Sequence, residues 1–285
     1  MYPRPSPNIN FFNNRKRKFM STTKIPFSST SEFLKFWKDY AKTLIKCGID
    51  NDFGFAHPND YDEITKLNNS GKIIKINDWQ EYLCHNSFLS SHFSNKSPHE
   101  KSLHTGLPLT PYTGNLKTAK LVLLLMNPGV APSNYFMLNS SDGDLKKSLS
   151  HILNPNYMNP ERAWSSGYGY GIKRWKKVLD ELYKKTENMN LALKTLREGV
   201  AVLQYSPYPS KTGDWSIFNK LQTSEYSKLA AQILMDDKKV VVCGRGANHW
   251  GLNSKYKDWE TKYGSKNPRN PQFKQPEMIA KLLLS

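Results

Sequence analysis

The sequence predicts a layered α/β fold built on a mostly parallel sheet. Three apolar runs have the length and composition of buried strands: LVLLLM (121–126), VAVLQY (200–205) and KVVVC (239–243). Amphipathic segments of helical length separate these runs, which is the order expected when helices connect parallel strands. Ligands of such sheets bind beyond the carboxyl ends of the strands, so the segments that follow the three runs are the first candidates for function.

The other elements follow from the spacing of apolar residues and from cap and stop residues. Residues 31–47 are predicted as a helix, because apolar residues recur at helical spacing, Ser31 can cap its start and Gly48 ends it. KIIKI (72–76) indicates a weak strand. Further helices are predicted over 77–89, around 144–153, and over 172–185, 190–198, 224–235, 248–262 and 276–284.

The charge balance favours a polyanionic partner. The chain of 285 residues carries 41 Lys and Arg against 24 Asp and Glu, a formal net charge of +17. Binding to a nucleic acid uses such a surplus, because each neutralised phosphate releases counterions. The alternative interpretation is that the charge only keeps the protein in solution.

The chain is expected to divide into a basic flexible tail (1–30) and a single α/β domain (31–285) with an N-terminal helical part. The tail contains NNRKRKF (13–19), which either contacts phosphate or is simply solvated. Cys47, Cys84 and Cys243 form an odd set without metal-ligand spacing, which indicates a reducing compartment. The sequence lacks an apolar run of membrane-spanning length and a signal-peptide core, so we expect a soluble, cytoplasmic monomer.

Two of the strand ends carry side-chain amides. Asn127 is followed by Pro128, which stiffens the turn, and by Gly129, which permits a close approach; its neutral amide can position a water or a substrate oxygen. Gln204 carries a donor and an acceptor in one plane, which matches the edge of a nucleic-acid base. The alternatives are an ordinary turn at Asn127 and a strand followed by a proline-rich turn at Gln204.

The third strand end and the C-terminal region contain glycine-rich and basic segments. CGRGANHW (243–250) resembles the start of a dinucleotide fingerprint, but its third glycine is replaced by His249, so the signal for a nucleotide-binding enzyme is weak. Arg269 in GSKNPRNPQF (264–273) suits a phosphate contact, and the alternative is a surface loop. Five histidines within residues 49–120 lack metal-ligand spacing and are expected at surface or cap positions: His57, His85, His92, His99 and His104.

The four segments in this order resemble the uracil-DNA glycosylase superfamily, and most closely its single-strand-selective monofunctional branch. LMNPG (125–129) corresponds to GMNPG of that branch, and QYSP (204–207) to its NHCP-like stretch. CGRGANHW follows a strand, as GxGRFAEQ does there, and SKNPRNP (265–271) corresponds to HPSPRNP. The similarity covers roughly residues 115–285.

The resemblance implies a three-layer α/β/α fold with a central, mostly parallel sheet, and DNA as the partner. A nucleotide would be flipped into a pocket, and water would cleave its N-glycosidic bond without metal or organic cofactor, leaving an abasic site. Asn127 would position the water, Gln204 would read the base, and Tyr135 or Phe136 would stack on it. The other residues implied in substrate binding are Met126, Pro128, Gly129, Tyr205, Ser265 and Asn267. Those implied in binding the DNA backbone are Arg245, Lys266, Arg269 and Asn270.

Two departures from the superfamily pattern concern the substrate. Ser265 stands where the last motif has its His, so His249 from a different loop is the candidate replacement as a catalytic group. Gln204 replaces the base-reading Asn and is one methylene longer. We therefore expect a modified pyrimidine, such as α-glucosylated hydroxymethylcytosine of phage DNA, and a role in antiviral defence; the long loop 130–170 would line the extra space. The alternatives are a uracil-DNA glycosylase of base-excision repair and a non-catalytic DNA-binding relative.

Overall fold

The computed structural model describes residues 26–76, 78–84, 101–130, 134–135, 138, 144–154, 170–243, 246–252, 255–267 and 270–285. Within these ranges the helices are α1 Thr30–Cys47, α2 Tyr61–Asn69, α3 Trp79–Cys84, α4 Leu145–Ser148, α5 Ser150–Leu153, α6 Tyr170–Thr186, α7 Met189–Gly199, α8 Trp215–Phe218, α9 Gln222–Asp236, α10 Lys255–Tyr263 and α11 Pro276–Leu284. The strands are β1 Ile73–Ile74, β2 Leu103–His104, β3 Tyr112–Thr113, β4 Leu121–Leu125, β5 Val200–Gln204, β6 Val240–Cys243, β7 Ser265–Asn267 and β8 Asn270–Phe273. Short 3₁₀ helices occur at Pro58–Asp60 and Ala247–Trp250.

The main sheet has four strands in the order β3-β5-β4-β6. The strands β4, β5 and β6 are the three apolar runs of the sequence, and they pair in parallel, while β3 adds to the edge in the antiparallel sense. The prediction of a mixed α/β protein with a mostly parallel sheet is therefore confirmed.

The sheet is apolar on both faces. Alternate residues of β4 enter two different clusters: Val122 and Leu124 pack with helices α1 and α9, whereas Leu121 and Leu123 pack with α6, α7 and α11. The same alternation continues in β5 and β6. Burial on both faces explains why the strands read as continuous apolar runs instead of alternating with polar residues.

The N-terminal boundary of the folded part lies earlier than predicted. Phe27 is buried, and its ring lies edge-on to Phe33 at 5.0 Å between centroids, so it belongs to the core and not to the tail. The cap of α1 is Ser29, whose hydroxyl accepts a hydrogen bond from Glu32 N at 3.2 Å, and not Ser31. Residues 1–25 lie outside the described residues.

Five of the predicted helices are confirmed to within two residues at each end: 31–47, 172–185, 190–198, 224–235 and 276–284. Of the helix predicted over 77–89 the structure describes Trp79–Cys84, and the helix predicted around 144–153 is divided into α4 and α5. The predicted helix 248–262 is divided, because Gly251 adopts a φ of 63° and separates the 3₁₀ helix from α10. The strand expected at 72–76 is only two residues long and pairs with β2. The elements that the sequence pattern did not predict are α2, α8, β2, β3, the hairpin β7–β8 and the 3₁₀ helix Pro58–Asp60.

None of the helices in the described part of the chain is long and apolar enough to cross a membrane.

Candidate functional site

Three segments follow the parallel strands at the carboxyl edge of the sheet: the Asn127 loop (126–130), the Tyr205 loop (205–214) and the His249 turn (246–252). The first two are joined directly, because Tyr205 N donates to Leu125 O at 2.8 Å and Ser206 N donates to Met126 O at 2.9 Å. The last residues of the two strands, Leu125 and Gln204, are partners in the parallel register. The structure thus brings the two predicted amide-bearing strand ends together.

The side-chain amide of Asn127 has a defined orientation. Its Nδ2 lies 2.8 Å from Pro128 O, 3.0 Å from Ser210 O and 2.9 Å from Ser210 Oγ. Backbone carbonyl oxygens only accept hydrogen bonds, so the atom that faces them must be the nitrogen. Ser210 Oγ donates to Thr212 O at 3.0 Å, which leaves the oxygen lone pairs of this hydroxyl to accept from Asn127. None of the hydrogen bonds described for Asn127 uses Oδ1, so this oxygen is the acceptor that the loop presents.

A glycine forms the wall next to this oxygen. A Cβ placed on Gly213 would lie 2.9 Å from Asn127 Oδ1 and would overlap the Met126 sulfur. Only a residue without a side chain therefore lets the Tyr205 loop approach the Asn127 loop so closely. Ser210 and Gly213 were not predicted as part of the site.

Gln204 is a buried amide with an unsatisfied oxygen. Its side chain is 6% exposed, and Oε1 has no hydrogen-bond partner among the described residues. A buried polar atom without a partner costs roughly 1–3 kcal/mol, so such atoms need an explanation. The alternation along β5 puts Gln204 on the same face as Val200 and Val202, the face covered by α6.

Trp215 contacts two of the three segments. Its indole lies edge-on to Tyr205, at 4.9 Å between ring centroids, and stacks in parallel on His249 at 4.0 Å with an interplanar angle of 2°. Gly246 has a φ of 69°, and a Cβ there would overlap the indole. His249, predicted as a catalytic group, therefore lies at this edge of the sheet, half-buried against Trp215.

The two tyrosines of the Tyr205 loop have structural contacts that were not predicted. Tyr205 is buried between Trp215 and Trp250, and its hydroxyl donates to Asn219 Oδ1 at 2.6 Å. Tyr208 is buried and donates to Asp60 Oδ2 at 2.7 Å. Neither ring is free to stack on a base in this conformation.

Asp60 anchors the Tyr205 loop to helix α9. The carboxylate accepts from the Tyr208 hydroxyl and from the Thr223 hydroxyl, both at 2.7 Å, and from Thr223 N at 3.2 Å. Burial raises the pKa of Asp60, although the hydrogen bonds from Thr223 and Tyr208 oppose this rise. Because α9 lacks a side-chain cap of its own at Leu221, Asp60 supplies the acceptor for its first turn.

Tyr135 lies in the core of this structure and not in an open pocket. It is 0% exposed, its ring stacks on Tyr82 at 4.2 Å between centroids, and its hydroxyl is hydrogen-bonded to His104 Nδ1. Burial raises the pKa of Tyr135, and Tyr82 and Glu81 add to the rise. Stacking on a flipped base would therefore require this segment to move. Phe136, the other predicted stacking residue, lies outside the described residues.

Two histidines expected at surface or cap positions are buried. His57 is buried among aromatic rings, although it does act as a cap, because its Nδ1 accepts from Asn59 N at 3.2 Å. His104 is buried beside Tyr135. His85, His92 and His99 lie outside the described residues.

The SKNPRNP segment forms the antiparallel hairpin β7–β8, in which Asn267 pairs with Asn270. The structure describes the backbone of Ser265, Lys266, Asn267 and Asn270, while Arg269 and Arg245 lie outside the described residues. At the base of the hairpin Phe273 contacts Trp175 of α6, at 4.8 Å between ring centroids. The hairpin is thus attached to the face of the sheet on which Gln204 lies.

In the part of the chain that the structure describes, no group of three or more His, Cys, Asp or Glu residues is arranged to hold a metal ion.

The chain matches no protein-family model, and neither a curated protein nor a solved structure is similar to it at a significant level.

Proposed function

We propose that the protein is a monofunctional DNA glycosylase of the uracil-DNA glycosylase superfamily. The observation that carries the proposal is the pair of amides at adjacent strand ends: Asn127, anchored through Nδ2, and Gln204, buried with an unpartnered Oε1. The mostly parallel sheet with helices on both faces agrees with the three-layer α/β/α arrangement that the motif resemblance implies.

Asn127 has a role that suits hydrolysis of a glycosidic bond. Its Nδ2 is held by three acceptors, so Oδ1 is available to accept a hydrogen bond from one water molecule and fix the position of that water. The water oxygen would bond to the sugar C1′ as the bond from C1′ to the base nitrogen breaks, and the base would leave with the bonding electron pair. The attacking water would release one proton to solvent, and the departed base would take up one proton from solvent, so that the products are the free base and a C1′ hydroxyl. An amide is not a strong base, so its contribution is positioning and electrostatic stabilisation of the transition state.

Gln204 supports recognition of a base. Its Oε1 is desolvated before the ligand binds, so a base N–H group that donates to it would remove an existing penalty instead of displacing water. An analogue without that donor would leave the oxygen unpaired, which is how buried polar groups discriminate between substrates.

The net charge of +17 supports DNA as the partner. For the target base we propose a modified pyrimidine, such as α-glucosylated hydroxymethylcytosine of phage DNA, with a role in antiviral defence. The replacement of the base-reading Asn by Gln204 and of the last-motif His by Ser265 supports this choice over plain uracil.

The experiment is a base-release assay on a panel of DNAs. Purified protein is incubated with uracil-containing oligonucleotides, unmodified genomic DNA and phage DNA that carries glucosylated hydroxymethylcytosine, and abasic sites are counted with an aldehyde-reactive probe. We expect abasic sites in the modified phage DNA only. If abasic sites form only in the uracil-containing DNA, the substrate is uracil and not a modified base. If the protein binds DNA without creating abasic sites, it is a non-catalytic relative.

Asn68→Ala is the matched control for substitutions at Asn127. Asn68 is exposed near the end of α2 and lies outside the three loops, so its replacement should leave base release unchanged.

A further inference from the structure

A chain of polar side chains behind the site ends on His249. The Tyr205 hydroxyl donates to Asn219 Oδ1 at 2.6 Å, and Asn219 Nδ2 lies 3.3 Å from His249 Nδ1. The His249 ring is held in place from one side by its parallel stack on Trp215. Trp215 of α8 thus fixes the plane of the imidazole, and Asn219, which follows α8, is the hydrogen-bond partner of its Nδ1.

The direction of these hydrogen bonds follows from the amide of Asn219. Its Oδ1 is the atom that lies 2.6 Å from the Tyr205 hydroxyl, and an amide oxygen can only accept, so the phenol proton is directed to Asn219. The Lys228 ammonium lies over the Tyr205 ring, with Nζ 5.7 Å from the ring centroid. Burial raises the pKa of Tyr205, and Lys228 opposes the rise.

This direction determines the tautomer of His249. Since Asn219 Oδ1 accepts from Tyr205, the atom of Asn219 that faces His249 is the amide nitrogen, a donor. His249 Nδ1 must then be an acceptor, and the ring proton resides on Nε2. No described hydrogen bond uses Nε2, which belongs to a half-buried ring in the turn that follows β6.

We propose that Asn219 is a positioning residue that fixes His249 as the Nε2–H tautomer, so that His249 offers an oriented donor to an oxygen of the bound nucleotide. The hydrogen bond from His249 to a nucleotide rests on the proposed function, whereas the position of the ring proton on Nε2 does not. The accepting oxygen belongs either to a carbonyl group of the base or to the sugar–phosphate backbone, and either oxygen can accept this hydrogen bond. Tyr205 acts through Asn219 and does not touch the substrate.

The tautomer is measured by ¹⁵N NMR of the full-length protein labelled at histidine, with His249→Gln to assign the signal. We expect a pyrrole-like Nε2 and a pyridine-like Nδ1. In Asn219→Asp the new carboxylate accepts from Nδ1–H, so the Nδ1 signal should become pyrrole-like. In Asn219→Leu, which has a similar volume and no polar group, the two tautomers should mix. A wild-type Nδ1–H tautomer, or an unchanged spectrum in Asn219→Asp, would overturn the proposal.

The acceptor is identified with two probes added to the labelled protein. Deoxycytidine carries a base without phosphate, and an oligonucleotide with a tetrahydrofuran abasic analogue carries sugar and phosphate without a base. A shift of the Nε2–H signal with the nucleoside alone assigns the acceptor to the base, and a shift with the abasic oligonucleotide assigns it to the backbone. If neither probe shifts the signal, His249 is not a donor to the nucleotide.

Base release supplies a test that a purely structural role would not satisfy. His249→Ala should lower kcat by roughly 100-fold, the effect of removing one donor to a developing charge, whereas His249→Gln keeps an N–H donor and should retain more of the activity. Asn219→Leu should lower kcat by roughly 3- to 10-fold with KM little changed, since it loses one orienting hydrogen bond. Equal losses in His249→Ala and His249→Gln would contradict the donor role.

These outcomes separate the two proposals. If the tautomer responds to Asn219 but no DNA loses a base, the hydrogen-bond chain stands and the glycosylase function is wrong. If base release depends on Asn127 but the tautomer of His249 is unchanged in Asn219→Asp, the glycosylase function stands and the positioning role of Asn219 is wrong.

Discussion

Asn127 and Ser210, 83 residues apart in the chain, are joined by two contacts, from Asn127 Nδ2 to the Ser210 carbonyl oxygen at 3.0 Å and to its hydroxyl oxygen at 2.9 Å. The amide that ends one strand is therefore oriented by the loop that follows the next strand. Because the nitrogen is held in this way, the oxygen is the group left to meet a water or a substrate.

Replacement of Ser210 should weaken this orientation without removing it. In Ser210→Ala the hydroxyl acceptor is lost, while the backbone carbonyl remains. One neutral hydrogen bond contributes about 1 kcal/mol, so we expect the single-turnover rate of base release to fall by roughly 5-fold with DNA affinity unchanged. Ser70→Ala, at an exposed residue whose hydroxyl donates to Leu67 O, is the control. An unaltered rate in Ser210→Ala would mean that the orientation of Asn127 does not depend on this hydroxyl.

Gly213 should tolerate no side chain while Met126 is present. The Cβ in Gly213→Ala would overlap the Met126 sulfur and lie 2.9 Å from Asn127 Oδ1, so we expect a rate loss larger than in Ser210→Ala. The double variant Gly213→Ala/Met126→Ala makes room for the added carbon and should recover part of the rate. A double variant as slow as Gly213→Ala alone would show that the overlap with Met126 is not the cause.

Gln204 should limit stability in the absence of substrate. Gln204→Leu removes an unpartnered buried oxygen and keeps a similar volume, so the free energy of unfolding should rise by about 1 kcal/mol. Base release should fall in the same variant, because no acceptor remains to read the base. Urea denaturation and the release assay measure the two effects. A destabilised Gln204→Leu would indicate that Oε1 has a partner in solution.

His57 should make the fold sensitive to acid. Burial lowers the pKa of His57 from 6.5 to about 3, so protonation favours the unfolded chain, in which the imidazole has its ordinary pKa. The stability that this neutral histidine contributes is present above pH 6.5 and is lost as the pH falls towards 3. The loss amounts to roughly 4 kcal/mol at the end of this range.

A variant without the titrating ring tests this assignment. His57→Asn keeps an acceptor for Asn59 N but does not titrate between pH 3 and 6.5, so its stability should vary less with pH, at a lower starting value. Denaturation curves of both proteins at several pH values provide the comparison. Parallel pH profiles for the wild type and His57→Asn would place the acid sensitivity elsewhere.

The long helices and the parallel strands were predictable because each contains several apolar residues at a fixed period. Elements such as α8 and the 3₁₀ helix Pro58–Asp60 contain three or four residues, too few for a period to be recognised. A local signal for α8 was nevertheless present, because Asp214 precedes the apolar residues Trp215 and Ile217 and caps the helix through Ser216 N.

The candidate site was only partly predictable for a different reason. Asn127 and Gln204 were recognisable from their positions at strand ends, and His249 was a candidate replacement for the last-motif histidine. The partners of Asn127 and His249, however, come from other parts of the chain. The contact between Asn127 and Ser210 has no local signature, and neither has the burial of Tyr135 between Tyr82 and His104. Tyr205 has an aromatic ring of the kind that stacks on bases, but the ring packs against Trp250 and its hydroxyl donates to Asn219 Oδ1, so its contacts here are structural.

The most direct test of the account compares single-turnover base release by the wild type, Asn127→Ala and Asn68→Ala on DNA that carries glucosylated hydroxymethylcytosine. Asn127→Ala removes the amide that would position the water, so we predict a loss of roughly 100-fold or more in rate with folding and DNA affinity preserved. Asn68→Ala should release the base at the wild-type rate. Base release by Asn127→Ala at the wild-type rate would contradict the central claim that this oriented amide serves the hydrolysis.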